Sequence, residues 1–309
     1  MKIFLTGASG FVCSYVVRQL VGSRKHEVAI LLRSPESAWR IQDLIPNVEV
    51  IVGNLYHPGN FEPQVAAFGP DAVVHMAWDG VLGSDRNSLR QWRNIPAALE
   101  LVEMAARVGA RHWIGLGSQA EYGPCQNRID ESVPTNPTTL YGVSKLATCN
   151  LVQRLCDELG IRFGWLRLFS SYGPADKPSL MIPYLIESLL KGERPKLTRA
   201  EQMWDYIYIE DAAAAVVAVT ESREAVGVFN LGSGTAPQLK AVIEKIRNLV
   251  DPTLPVGFGE VDYRQDQVMH LEADISRLKK FTGWSPVVDI ETGLKKTVAW
   301  HLRQKNNGH

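Results

Sequence analysis

Lys2-Ile3-Phe4-Leu5-Thr6-Gly7-Ala8-Ser9-Gly10-Phe11-Val12-Cys13 opens the chain with an apolar run, two glycines three residues apart and the start of a helix reaching about Leu20. Lys2 to Thr6 reads as a short buried strand, because a continuous apolar run bounded by turn signals suits a strand covered on both faces. The order of strand, tight turn and helix is the one a dinucleotide site requires. Gly7 and Gly10 let the backbone approach a pyrophosphate, which then rests on the helix N-terminus. The third glycine of the usual spacing is replaced by Cys13, a small residue read as buried at the helix–strand contact.

Working outward, Glu27 to Leu32 reads as a second strand. At its end an acidic residue would bond the ribose 2′-hydroxyl of NAD, whereas an arginine would accommodate a 2′-phosphate. Arg33 and Ser34 stand there, so NADP(H) is the preferred cofactor, with NAD(H) possible. Val48 to Val52 is a third strand leading into Gly53-Asn54-Leu55, where a side chain can meet the adenine edge. Asp71 to Met76 is a fourth, running on into Ala77-Trp78. His75 lies inside that apolar run and reads as a core histidine, and no two histidines have metal-ligand spacing. Asn94 to Val108 is a helix, and Arg111 to Leu116, Ile161 to Leu168 and Gly227 to Leu231 complete seven strands. This alternation predicts an α/β fold with a doubly wound parallel (Rossmann) sheet, whose ligands bind beyond the carboxyl ends of the strands.

Past Phe169 the texture changes to Ser170-Ser171-Tyr172-Gly173-Pro174 with further prolines at 178, 183 and 195. The expected division is a dinucleotide-binding domain over 1–169 that also takes in about 204–234, with 170–203 and 235–309 forming a smaller, interleaved C-terminal substrate domain. Trp204 to Asp211, with a helix to Val219, is expected to return to the sheet. The 33 basic and 33 acidic residues balance, which gives no reason to expect nucleic acid or an anionic membrane as partner. Four cysteines without framework spacing and no apolar run of membrane length point to a soluble cytoplasmic protein.

Leu140-Tyr141-Gly142-Val143-Ser144-Lys145 begins a helix to about Leu159, and four-residue spacing stacks Tyr141 and Lys145 on one face. A neighbouring ammonium favours the phenolate, so Tyr141 is a candidate acid/base and Lys145 is the expected cation acting on it. Ser118, at the end of the fifth strand, is the third member.

Together these residues resemble the extended short-chain dehydrogenase/reductase family, and within it the nucleotide-sugar epimerases, dehydratases and 4-ketoreductases. Thr6 to Gly10, Val73 to Ala77, Gly117-Ser118, Tyr141 with Lys145, Arg167 with Tyr172-Gly173-Pro174, Asp205 to Asp211 and Phe229 to Gly234 carry the likeness. The resemblance implies that Ser118 orients the substrate oxygen, Tyr141 exchanges the proton at sugar C4, and Lys145 bonds the nicotinamide ribose. It also implies pyrophosphate contacts from Gly7, Ser9, Gly10, Phe11 and Val12, cofactor contacts from Arg33, Asn54, Leu55 and Ala77, and substrate contacts from Gln119, Ser170 and Arg264. A homodimer through the helices over 94–108 and 140–159 is implied too. Ser170 stands where the family commonly has asparagine, Trp204 where it has arginine and Asn54 where it has an acid.

In the 4,6-dehydratases an Asp-Glu pair follows the equivalent of Ser118 and handles the protons of water elimination. Gln119 and Ala120 stand here, and neither can donate or accept a proton at neutral pH. The resemblance therefore implies NADP(H)-dependent reduction of a 4-keto-6-deoxy nucleotide sugar at C4, with 4-epimerisation as the alternative. A protein that only sensed the cofactor would not need Ser118, Tyr141 and Lys145 together. Glu121 is expected to point away, since an extended segment turns successive residues to opposite sides.

Overall fold

The computed structural model describes residues 1–263 and 267–306. Strands β1 (Lys2–Thr6), β2 (Glu27–Leu32), β3 (Glu49–Val52), β4 (Ala72–His75), β5 (His112–Ser118) and β6 (Arg162–Leu168) are followed by the short β7 (Ser170–Tyr172), β8 (Met203–Trp204) and β9 (Tyr206–Tyr208). Then come β10 (Gly227–Leu231) and β11 (His270–Leu271). Helices are α1 (Phe11–Ser23), α2 (Glu62–Phe68), α3 (Asn94–Arg107), α4 (Leu140–Leu159), α5 (Met181–Leu190), α6 (Ile209–Glu221), α7 (Leu239–Val250), α8 (Ser276–Thr282) and α9 (Ile290–Asn306).

Seven strands form one sheet in the order β10-β6-β5-β4-β1-β2-β3, and every pairing in it is parallel. The doubly wound sheet expected from the sequence is therefore the fold. Alternation along β1 fixes its two layers: Ile3 and Leu5 join α1 and α6 in one core, while Phe4 joins α3 and α4 in the other. Winding reverses between β1 and β4, so the ends of these neighbours open the crevice in which this architecture holds ligands.

A third core gathers Tyr172, Ile182, Leu185, Tyr208, Ile243 and Leu294 among α5, α7 and α9, away from the sheet. The segment from Trp204 behaves differently from the sequence expectation. β8 pairs with β11 and β9 with β7, in two small two-stranded sheets, and neither enters the main sheet. Only the helix that follows returns: α6 buries Ala212, Ala215, Val216 and Val219 against the sheet and α1. The three-residue strand Tyr206–Tyr208 pairs in parallel with Ser170–Tyr172.

Candidate active site

At the end of β1 the chain turns at Gly7 with φ +84°, and a Cβ there would lie 2.7 Å from the Ala77 nitrogen. Only glycine lets the turns after β1 and β4 come this close. Gly10 caps α1 without a side chain; its N–H donates to the Gly7 carbonyl at 2.8 Å, and no acidic residue occupies the first turn. The N–H groups of that turn therefore face outward with the helix dipole behind them. Cys13 is buried, its thiol 3.7 Å from the Thr6 carbonyl, and burial pushes its pKa up to about 12. It packs as the small residue expected in place of glycine.

Arg33 lies immediately beyond β2 and is exposed, and among the described residues no carboxylate pairs with it. Asn54 is exposed and its side chain accepts the Tyr56 N–H at 3.0 Å, while Leu55 packs beside the α2–α3 core. Phe11 and Val12 rest against the third core. Arg40 was not foreseen: it donates to the Ser9 carbonyl at 3.1 Å and to the Ala175 carbonyl at 3.0 Å, binding the first turn to the second region. His75 is a core histidine, as expected. Its Nδ1 meets the Thr6 hydroxyl at 2.8 Å, and burial lowers its pKa to about 3.

Across the crevice, β5 ends at Ser118 and enters a 3₁₀ turn over Gln119–Glu121. The Ser118 hydroxyl accepts the Ala120 N–H at 3.2 Å. Glu121 is fully buried and accepts the Ser118 N–H at 2.8 Å, the Trp165 indole N–H at 3.1 Å and the Arg167 Nε–H at 2.7 Å. Its inward aim agrees with the sequence expectation, but the cause differs: the segment is not extended, and the reciprocal capping of the turn draws the carboxylate inside. Gln119 is half-buried and Ala120 buried.

Thr139 caps α4, accepting the Gly142 N–H at 3.1 Å. Gly142 has no room for a Cβ against the Ala120 carbonyl, so the first turn of α4 lies directly on the turn after Ser118. That contact gathers Ser118, Tyr141 and Lys145, all buried, at one place. Lys145 donates to the Leu116 carbonyl at 2.6 Å and sits 3.8 Å from the centroid of the Trp78 ring. Trp78 also meets Tyr141 edge to face at 6.2 Å, and its indole N–H donates to Gln91 at 2.9 Å.

The electrostatics add a residue to this cluster. Burial raises the Tyr141 pKa; the Ser118 side chain and the Arg86 guanidinium oppose this, and Glu121 adds to it. The Arg86 guanidinium stands 4.7 Å from the centroid of the Tyr141 ring, a cation beside this phenol that helical spacing does not reveal. Lys145 itself is lowered to about 7 by burial, against the pull of Glu121. Its ammonium is engaged by a carbonyl and an indole face. Arg86, Trp78 and Arg40 come from turns whose course no periodicity fixes, so spacing alone could not find them.

Beyond β6 a cavity of about 560 Å³ is lined by Phe169, Ser170, Asp176, Lys196, Gln202 and Trp204, among others. The Ser170 hydroxyl accepts the Trp204 indole N–H at 2.8 Å, so the two departures from the family pattern are bonded to each other. Leu168, one of its lining residues, pairs with Ser118 across the sheet, while Ser118, Tyr141 and Lys145 themselves do not line the cavity. Asp176 is buried in its wall, which raises the carboxyl pKa to about 7. Arg264 lies outside the described residues.

Comparison with known proteins agrees with this geometry. The model of the NAD dependent epimerase/dehydratase family matches residues 3–232. A dTDP-glucose 4,6-dehydratase of Neisseria meningitidis is 25% identical over 98% of this chain and 94% of its own length. The UDP-glucose 4-epimerase of Thermotoga maritima superposes with TM-score 0.88 at 23% identity, covering 99% of this chain and 100% of that one. A UDP-glucuronic acid 4-epimerase of Bacillus cereus, solved with UDP-glucuronic acid and NAD, gives 0.87 at 22%, covering 98% and 100%. The chain belongs to the NAD dependent epimerase/dehydratase family, in the extended short-chain dehydrogenase/reductase group, and is an enzyme of oxidoreductase type.

Proposed function

We propose that this member of the NAD dependent epimerase/dehydratase family reduces a 4-keto-6-deoxy nucleotide sugar at C4, with NADPH preferred over NADH. The observation carrying this reading is the turn after β5. Gln119 and Ala120 cannot move protons, and Glu121 is committed to the Ser118 N–H, Trp165 and Arg167. Ser118 and Tyr141 are left as the groups that handle protons, enough for redox chemistry at one carbon but not for elimination of water.

The outward N–H groups of α1 and the close turn at Gly7 fit a pyrophosphate, and exposed Arg33 suits a 2′-phosphate. When bound, the nicotinamide supplies the hydride. Ser118 holds the substrate oxygen by a hydrogen bond as that oxygen takes the C=O electron pair. Tyr141 then gives it the phenolic proton, leaving an alcohol and a phenolate. Lys145, held at Leu116 and Trp78, is within the same cluster to orient the cofactor ribose. The cavity beside Ser170, Gln119 and, from the sequence, Arg264 are assigned to the nucleotide sugar.

The second reading, a 4-epimerase, is favoured by an uncharacterized UDP-glucose epimerase of Bacillus subtilis, 26% identical over 97% of this chain. Following reduced-nicotinamide absorbance separates the two. Stoichiometric NADPH oxidation with a 4-keto-6-deoxy nucleotide sugar is the expected result. Interconversion of 4-hydroxy nucleotide sugars without net cofactor consumption would establish the epimerase, and formation of a new 4-keto-6-deoxy product would overturn the reading.

The same proposal includes a cytoplasmic homodimer through α3 and α4. Leu140, Val143, Leu151 and Leu159 remain exposed along α4 at helical spacing, an apolar stripe suited to a second copy.

A further inference from the structure

We propose that Arg86 is a positioning and charge-stabilising residue of this site: its guanidinium, 4.7 Å from the centroid of the Tyr141 ring, holds that ring and favours the phenolate left by proton transfer. The inference rests on the reading of Tyr141 as the proton-transfer group and adds a residue to it.

Arg86 is carried by a short 3₁₀ turn over Gly83–Asn87, between β4 and α3, and that turn is anchored on both sides. Asn87 accepts the Leu140 N–H at 3.1 Å, fixing the turn to the start of α4 one residue before Tyr141. Buried Gln91 donates to the Asp85 carbonyl at 2.8 Å while accepting the indole N–H of Trp78 at 2.9 Å. One segment therefore places Trp78 at right angles to Tyr141 and Arg86 over the Tyr141 ring. A cation over an aromatic face is attracted by the ring quadrupole, and an adjacent positive charge stabilises the ionised phenol further.

The other groups around Tyr141 differ from Arg86 in charge or in what they contact. Ser118 is neutral. Glu121, from the turn after β5, is negative but paired with Arg167 at 2.7 Å. Lys145, on α4 itself, is directed to the Leu116 carbonyl and the Trp78 ring. Among the described residues no carboxylate lies within ion-pair reach of Arg86, and the Asp85 side chain beside it is 4.0 Å from Arg90 instead. Burial raises the Tyr141 phenol, and Arg86 is the cation that opposes this.

Arg86→Gln and Arg86→Lys test the inference. In the reductive direction kcat/KM falls as pH rises through the phenol pKa, because the acid form is needed. Removing the cation raises that pKa, so the alkaline limb should move up by about 1 pH unit in Arg86→Gln and remain near wild type in Arg86→Lys. NADPH affinity should be unchanged in both. A titration followed by NMR of ¹³C-labelled tyrosine, with Tyr141→Phe identifying the resonance, reads the same shift in the protein alone. It therefore stands even if no 4-keto sugar is turned over. A Tyr141 midpoint or an alkaline limb unchanged in folded Arg86→Gln overturns the inference, as does a Lys variant that behaves like Gln.

Discussion

The turn after β1 and the turn after β5 lie at the same edge of one sheet and use their backbone donors in opposite ways. Gly7 to Gly10 leads into a helix with no side-chain cap, so the donors of its first turn have no internal partner. Ser118 to Glu121 closes on itself: the buried carboxylate takes up the Ser118 N–H, the Trp165 indole and the Arg167 guanidinium. A turn with unused donors can bind an anion from solution, whereas a turn that has used them can only hold a side chain still. The first is built for affinity and the second for placement, and substitutions in the two should fail differently.

The largest effect should follow from opening the second turn. Glu121→Ala leaves Arg167 charged and buried at 5% exposure without its partner. Breaking a buried pair from one side costs about 3–5 kcal/mol, a large share of an ordinary domain's stability. Denaturant unfolding should show that loss before any assay of activity is informative. A midpoint equal to wild type would mean that the carboxylate does not hold the turn, and the contrast between the two turns would collapse.

Tyr141→Phe should be next, and it separates placement from chemistry. The ring keeps its contact with Trp78 and loses only the hydroxyl, so the melting temperature and the NADPH dissociation constant should hold. Turnover should drop by ~10²-fold or more, the contribution of a positioned acid/base group. Wild-type turnover in this variant would remove Tyr141 from the mechanism.

Legibility in the sequence divides along the same line. The doubly wound parallel sheet and the glycine turn were readable because buried strands and a φ-positive glycine leave marks on composition that no distant residue alters. The meeting of Ser118, Tyr141 and Lys145 was readable through the helical period and the family likeness. What was missed lies in turns. The sequence could say that Trp78 and Arg86 follow β4, but not that Gln91 and Asn87 would fix them on Tyr141. Four-residue spacing likewise puts Lys145 on the face of Tyr141, but cannot show that the Leu116 carbonyl engages its side chain at 2.6 Å. The segment from Trp204 is expected in the main sheet, whereas its strand over Tyr206–Tyr208 pairs with Ser170–Tyr172, a partner that three residues carry no pattern to specify.

Arg33→Asp should have the smallest effect and sharpens the comparison from the side of affinity. Arg33 is exposed beyond β2 and pairs with no carboxylate among the described residues, so replacing it should change stability by no more than about 0.5 kcal/mol, as at other free surface positions. If it meets a 2′-phosphate, the lost charge-assisted hydrogen bond contributes about 1.5–3 kcal/mol, and the new carboxylate repels the phosphate while offering an acceptor to a 2′-hydroxyl. Preference should therefore move from NADPH toward NADH by at least ~tenfold, since ~1.4 kcal/mol is a factor of ten. Measuring both dissociation constants by titration, with the melting curve as control, distinguishes the possibilities. Equal constants in the wild type would remove the NADPH preference, leaving the NAD named in the family description as the simpler cofactor. A shift in preference with an unchanged melting curve would show that this end of the crevice is designed around its ligand and contributes little to the fold, the reverse of what Glu121 does a few strands away.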